Sequence, residues 1–130
     1  MKNNLNKNTY FISHSIGCQT VLRYLEQKKT NTMIGGVLFI AGWVTLTGLS
    51  ESEQKIAQPW LETPMDFAKI QKYIHNLTCI FSNDDPYVTK INESFFRKNL
   101  NAKIKHIGNE KHIQKKSNYK FILDVFNKSF

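Results

Sequence analysis

Residues 9–26 read TYFISHSIGCQTVLRYLE, and the way this stretch folds decides the rest of the chain. Its first part, TYFIS, is aromatic and β-branched, the composition of a short strand. From Gly17 the pattern changes. Cys18, Val21, Leu22 and Leu25 recur at i, i+3, i+4 and i+7, the stripe of an amphipathic helix. Between the two stands SHSIG (13–17), which has the small-x-Ser-x-Gly form of a nucleophile elbow. So tight a turn from strand to helix needs small flanking residues, and Ser13 and Gly17 are small. The first N–H groups of the helix, that of Ile16 above all, would face negative charge developing beside Ser15. The plain alternative is one more serine at the end of a strand. What separates the two readings is whether partners for Ser15 stand at the same edge of the sheet.

Working outward, IGGVLFIAG (34–42) is a continuous apolar run, as in a strand buried on both faces. WVTLTGLSESEQKIAQPWLETP (43–64) reads as a long excursion. MDFAKIQKYI (65–74) carries Phe67, Ile70 and Ile74 on one helical side. LTCIFSN (77–83) is a third strand, TKINESFFRKNL (89–100) a helix and AKIKHI (102–107) a fourth strand. NYKFILDVFNKSF (118–130) places Tyr119, Ile122, Val125 and Phe126 on one helical side. Strands alternating with helices predict an α/β fold, a mostly parallel sheet of about four strands flanked by helices. The expectation is one domain over 1–130, with residues 1–8 a polar, disordered lead.

In such sheets function gathers beyond the carboxyl ends of the strands. Those places hold Ser15, the pair Asp84 and Asp85 in SNDDPYV (82–88), and His112 in GNEKHIQ (108–114). A hydroxyl nucleophile needs a general base, and the base needs a carboxylate on its other nitrogen. Asp85 is preferred to Asp84 because Pro86 holds the residue before it extended. Two turn-forming aspartates would look the same. Of the remaining histidines, His106 lies within a strand, His75 precedes one, and His14 points away if Ser15 points to the substrate. The chain order Ser, Asp, His is that of α/β-hydrolases. Trp43, just after a strand, is a candidate for the substrate pocket, although a tryptophan there is as often core packing.

The chain has 130 residues, 41% hydrophobic, with 18 Lys+Arg against 10 Asp+Glu and a formal charge of +8. Sixteen of the bases are Lys and only Arg23 and Arg97 are Arg. Base and phosphate recognition favour Arg, and no helix collects the lysines, so no nucleic-acid partner is expected. Cys18 and Cys79 sit in apolar stretches without metal-ligand spacing, which argues for buried thiols in a reducing compartment and for no metal or other cofactor. No stretch reaches the roughly 20 apolar residues that span a bilayer. The expectation is a cytoplasmic protein away from membranes.

Five stretches together resemble the small α/β-hydrolases of the retinoblastoma-binding protein nine type, a serine hydrolase family of esterase character. They are FISHSIGCQTVLRYLE (11–26), GGVLFIAGW (35–43), PWLETPMDFAKI (59–70), FSNDDPYV (81–88) and GNEKHI with SNY (108–119). The resemblance implies Ser15 as nucleophile, Asp85 as orienting acid and His112 as base, acting on small acyl esters or amides. It differs at Ser13, where the family usually has Gly, and at Glu110 and Lys111, where the family approaches its histidine through glycines. Family members also carry a strand, a His-Gly-type turn and further elements before the elbow. The expectation is therefore a domain lacking its N-terminal third, with Thr9 to Ser13 as an exposed apolar edge. That edge motivates a second expectation, an inactive remnant or interaction module that pairs into a homodimer.

Overall fold

The computed structural model describes residues 4–29 and 32–130. Four strands, β1 (Tyr10–His14), β2 (Gly36–Ile40), β3 (Leu77–Phe81) and β4 (Lys103–His106), form one parallel sheet in the order β1-β2-β3-β4. The helices are α1 (Ile16–Glu26), α2 (Glu51–Glu62), α3 (Phe67–Gln71), α4 (Lys90–Leu100) and α5 (Tyr119–Ser129). A turn of 3₁₀ helix, Lys116–Asn118, leads into α5. The fold class expected from the alternating pattern is the one observed.

Each crossover between parallel strands is right-handed by preference. Strands that follow one another in sequence and in space therefore put their connecting helices on the same face. Cys18, Val21, Leu22 and Leu25 of α1, Ile70 of α3 and Phe96 and Leu100 of α4 pack there against Val37, Phe39, Leu77, Cys79 and Phe81. α5 covers the other face, where Val125, Ile122 and Phe126 meet Leu38, Ile40 and Ile80. β2 and β3 are buried at every position, which is why they read as unbroken apolar runs. β1 is an edge: Ile12 is 55% and Tyr10 43% exposed, although Tyr10 packs edge-on against Phe126 and Phe130.

Three features differ from the sequence reading. The excursion contains α2, which the sequence reading missed. Ala57, Trp60 and Leu61 form a short apolar stripe on its core side, but only Ala57 is buried and Pro59 lies inside the helix. Its clearest signal is Ser50 and Glu53, a capping box in which each side chain bonds the other's backbone N–H. Tyr119, placed on the inner side of the last helix, is 61% exposed. In the polar lead, residues 6–9 form a turn closed by Thr9 N–H to the Asn6 carbonyl, and Leu5 packs against the core. Residues 1–3 of that lead lie outside the described residues.

The excursion is tied down by Asn92, a fully buried side chain of α4. Its Oδ1 accepts from Val44 N (2.7 Å) and Thr45 N (3.1 Å), and its Nδ2 donates to the Thr45 carbonyl (3.1 Å). Replacing Asn92 by Leu keeps the size and strands these amide groups. We expect Asn92→Leu to lose about 2–3 kcal/mol in urea unfolding, the scale of buried polar groups left unpaired.

Candidate active site

Ser15 is the junction between β1 and α1 and has φ 54°, ψ −120°. A non-glycine residue in that region stores about 1–3 kcal/mol of strain and persists only where its surroundings over-determine it. Here the Ser15 N–H donates to the Ile40 carbonyl at the end of β2 (2.9 Å), and the Ser15 carbonyl accepts from Cys18 N (3.0 Å). Ser13 and Gly17 face each other across the turn. A Cβ at Gly17 would lie 3.5 Å from that of Ser13, so the turn leaves room for a methyl group. Serine before a helix usually caps it with its hydroxyl. The Ser15 hydroxyl makes no such bond and is left for other partners.

Those partners are His112 and Trp43. The Ser15 Oγ lies 2.8 Å from His112 Nε2 and 3.2 Å from Trp43 Nε1. His112 Nδ1 lies 2.7 Å from Asp85 Oδ2. With Asp85 ionised, Nδ1 carries the proton and donates to it, which leaves Nε2 to accept from the Ser15 hydroxyl. The structure thus brings together all three residues picked from the strand ends, contributed by the loops after β1, β3 and β4.

Asp85 is the aspartate that faces His112, and its side chain is only 2% exposed. Burial pushes its carboxyl upward. The hydrogen bond from His112 and those that Oδ1 accepts from Tyr87 N (2.9 Å) and Val88 N (3.0 Å) outweigh burial and hold it below the usual value. Asp84 has a different task. Its Oδ1 accepts from Lys111 N (2.7 Å) and from the Ser82 hydroxyl (2.9 Å), stapling the histidine loop to the end of β3. Ser82 Oγ also accepts from Glu110 N (2.9 Å). The loop departs from the glycine-rich approach yet still needs left-handed backbone, at Gly108 (φ 94°), Lys111 (φ 49°) and Ile113 (φ 54°). Ile113 drives its side chain into the α5-side core, where it is 4% exposed. His112 is held between two strained, anchored residues.

His14 does not point away from the site. Its Nε2 lies 3.1 Å from the His112 carbonyl, and the two rings stand 5.2 Å apart. His106 pairs with Glu93 at 2.6 Å, and His75 is exposed. The thiol of Cys18, three residues from Ser15, is pushed up to about 12 by burial, and burial also raises Cys79 well above the ordinary range. Neither supplies a thiolate nucleophile. Among the described residues no group of three His, Cys, Asp or Glu side chains is placed to hold a metal, and no helix is long and apolar enough to cross a membrane.

Ser15, His112 and Trp43 open on a cleft of about 320 Å³ walled by Leu46, Leu49 and Tyr87, with Glu53 and Gln114 as its other polar lining. Ile16 opens α1, where N–H groups have no partner within the helix, so its amide is free to meet an anion beside Ser15.

A family model described as serine hydrolase matches residues 1–126. The Bacillus subtilis (strain 168) protein YdeN is 29% identical over 84 residues, which are 65% of this chain and 42% of that protein. The matched portion thus spans less than half the length of this relative. The crystal structure of the ydeN gene product superposes with a TM-score of 0.80 at 22% identity, covering 97% of this chain and 67% of that one. It shares the fold described above.

The depressed carboxyl of Asp85 has a consequence for stability. Because its folded value lies below the unfolded one of about 3.9, its contribution is fully present above that pH and is lost as pH falls through the folded value. We expect the stability gap between wild type and Asp85→Asn to narrow steadily in urea titrations from about pH 5 to about pH 2. A gap independent of pH would contradict the assignment.

Proposed function

The chain belongs to the serine hydrolase family, and from that premise we propose that it hydrolyses small acyl esters or amides through Ser15, His112 and Asp85. The observation that carries the reading is the unbroken hydrogen-bonded chain from Ser15 Oγ through His112 to Asp85, at the floor of an open cleft.

In the proposed reaction Ser15 Oγ attacks the substrate carbonyl carbon as its proton passes to His112 Nε2. A carbon–oxygen bond forms, and the carbonyl π electrons move to oxygen, where the Ile16 N–H meets them. The intermediate collapses. The bond to the leaving alcohol or amine breaks, and that group takes the proton from His112. Water then attacks the acyl-serine, again giving a proton to His112, and the acid departs as Ser15 recovers its hydrogen. Asp85 stays ionised throughout and holds the imidazole in the tautomer that both steps require. Its depressed carboxyl suits that task. The size of the cleft and the leucines on its wall favour small, partly apolar acyl groups over polymers.

A fluorophosphonate probe reacts only with an activated serine. We expect stoichiometric labelling of Ser15, read by intact mass and peptide mapping, and none in Ser15→Ala. Folded wild-type protein that resists the probe would overturn the proposal.

A further inference from the structure

We propose that the indole N–H of Trp43 is a catalytic donor, one that holds the Ser15 hydroxyl with its hydrogen toward His112 and its remaining lone pair toward the substrate. The inference rests on Ser15 being the nucleophile. A serine hydroxyl has one hydrogen and two lone-pair sites. The hydrogen belongs to His112 Nε2 at 2.8 Å, and Trp43 Nε1 occupies an acceptor site at 3.2 Å. That distance is at the long end for N–H···O, as suits a neutral hydroxyl. With its hydrogen and one lone pair engaged, the hydroxyl has a single lone pair left to attack the carbonyl carbon. The nucleophile is therefore oriented before substrate arrives, and that ordering does not have to be achieved during the reaction. An indole N–H donates and never accepts, so it cannot compete with His112 for the proton. Trp43 is 3% exposed, and little water screens the contact.

The tryptophan is also held in advance. Gln19, one turn beyond Ser15 on α1, is fully buried on the otherwise apolar side of its helix. Its Nε2 donates to the Trp43 carbonyl (3.0 Å), and its Oε1 accepts from Arg23 Nε (3.2 Å). Arg23 in turn reaches the carbonyls of Trp60 and Thr63, each at 2.9 Å. A buried amide is tolerated only when bonded, and this one spends its bonds on fixing Trp43. On the other side, Val44 N is held by Asn92. A methyl group at Gly42 would come within 3.1 Å of Cys18 Sγ and 3.2 Å of Phe39 Cβ, so the chain before Trp43 runs hard against α1 and β2. The helix that begins at the nucleophile therefore also fixes the donor, with Gln19 as its positioning residue.

Trp43→Phe removes the N–H and keeps an aromatic ring. We expect the rate of fluorophosphonate labelling, and kcat for p-nitrophenyl acetate, to fall about 10- to 100-fold with KM little changed, the scale of a reacting group that loses its alignment. Labelling and turnover at wild-type rates in a folded Trp43→Phe protein would overturn the role of Trp43 and leave Ser15 as nucleophile. A wild-type protein that is not labelled would overturn both. A second measurement needs no Trp43 variant. The chain has two tryptophans, so Trp60→Phe identifies the Trp43 indole resonance in a ¹⁵N spectrum. That resonance is expected to move in Ser15→Ala and again on phosphonylation. A resonance indifferent to both would contradict the proposal.

Discussion

The bond from the Ser15 amide to the Ile40 carbonyl, 2.9 Å long, is the contact on which the site depends. It extends the ladder between β1 and β2 one step past the end of β1, and so obliges Ser15 to adopt a backbone that serine avoids. Two things follow. α1 starts at once, with its free N–H groups beside the serine. The hydroxyl, turned out of the capping position, is exposed to whatever the neighbouring loops present. Ser13 and Gly17 leave the turn uncrowded, and the β2 carbonyl enforces it.

A parallel sheet supplies the rest by geometry. All four strands end at one edge, so loops far apart in sequence converge there. Asp85 and His112 are 27 positions apart and His112 and Ser15 are 97 apart, yet the three side chains form a continuous chain of bonds. The loops are not left to chance. Asp84 and Ser82 staple the histidine loop, Ile113 anchors it in the core, and Asn92 and Gln19 hold the excursion that carries Trp43. Gln19, Ser82 and Asn92, buried polar residues beside the site, each hold a loop in place.

Much of this was legible in the sequence because it follows from local pattern. Short apolar runs became the strands, and Cys18, Val21, Leu22 and Leu25 became the buried side of α1. Ser15, Asp85 and His112 stood out because each lies just past a strand and their order is that of one hydrolase lineage. What pattern could not show was contact between distant segments. α2 is hard to read because Pro59 interrupts the short stripe of Ala57, Trp60 and Leu61, and its clearest signal is the capping box. In the sequence Pro86 favours Asp85 over Asp84, whereas in the structure the amides of Tyr87 and Val88 fix the Asp85 carboxylate. The sequence marks Trp43 as a pocket residue, but its bond to Ser15 crosses 28 positions and has no sequence signature. The position of His14 is hidden for the same reason, since the loop it touches arrives from residue 112.

The central claim is that Ser15 attacks a carbonyl and carries the acyl group. Rapid-quench mass spectrometry during turnover of p-nitrophenyl acetate addresses it directly. The account predicts an acetyl adduct on Ser15 that forms in a burst and disappears as substrate is exhausted. Turnover without an adduct, or an adduct on another residue, would contradict it.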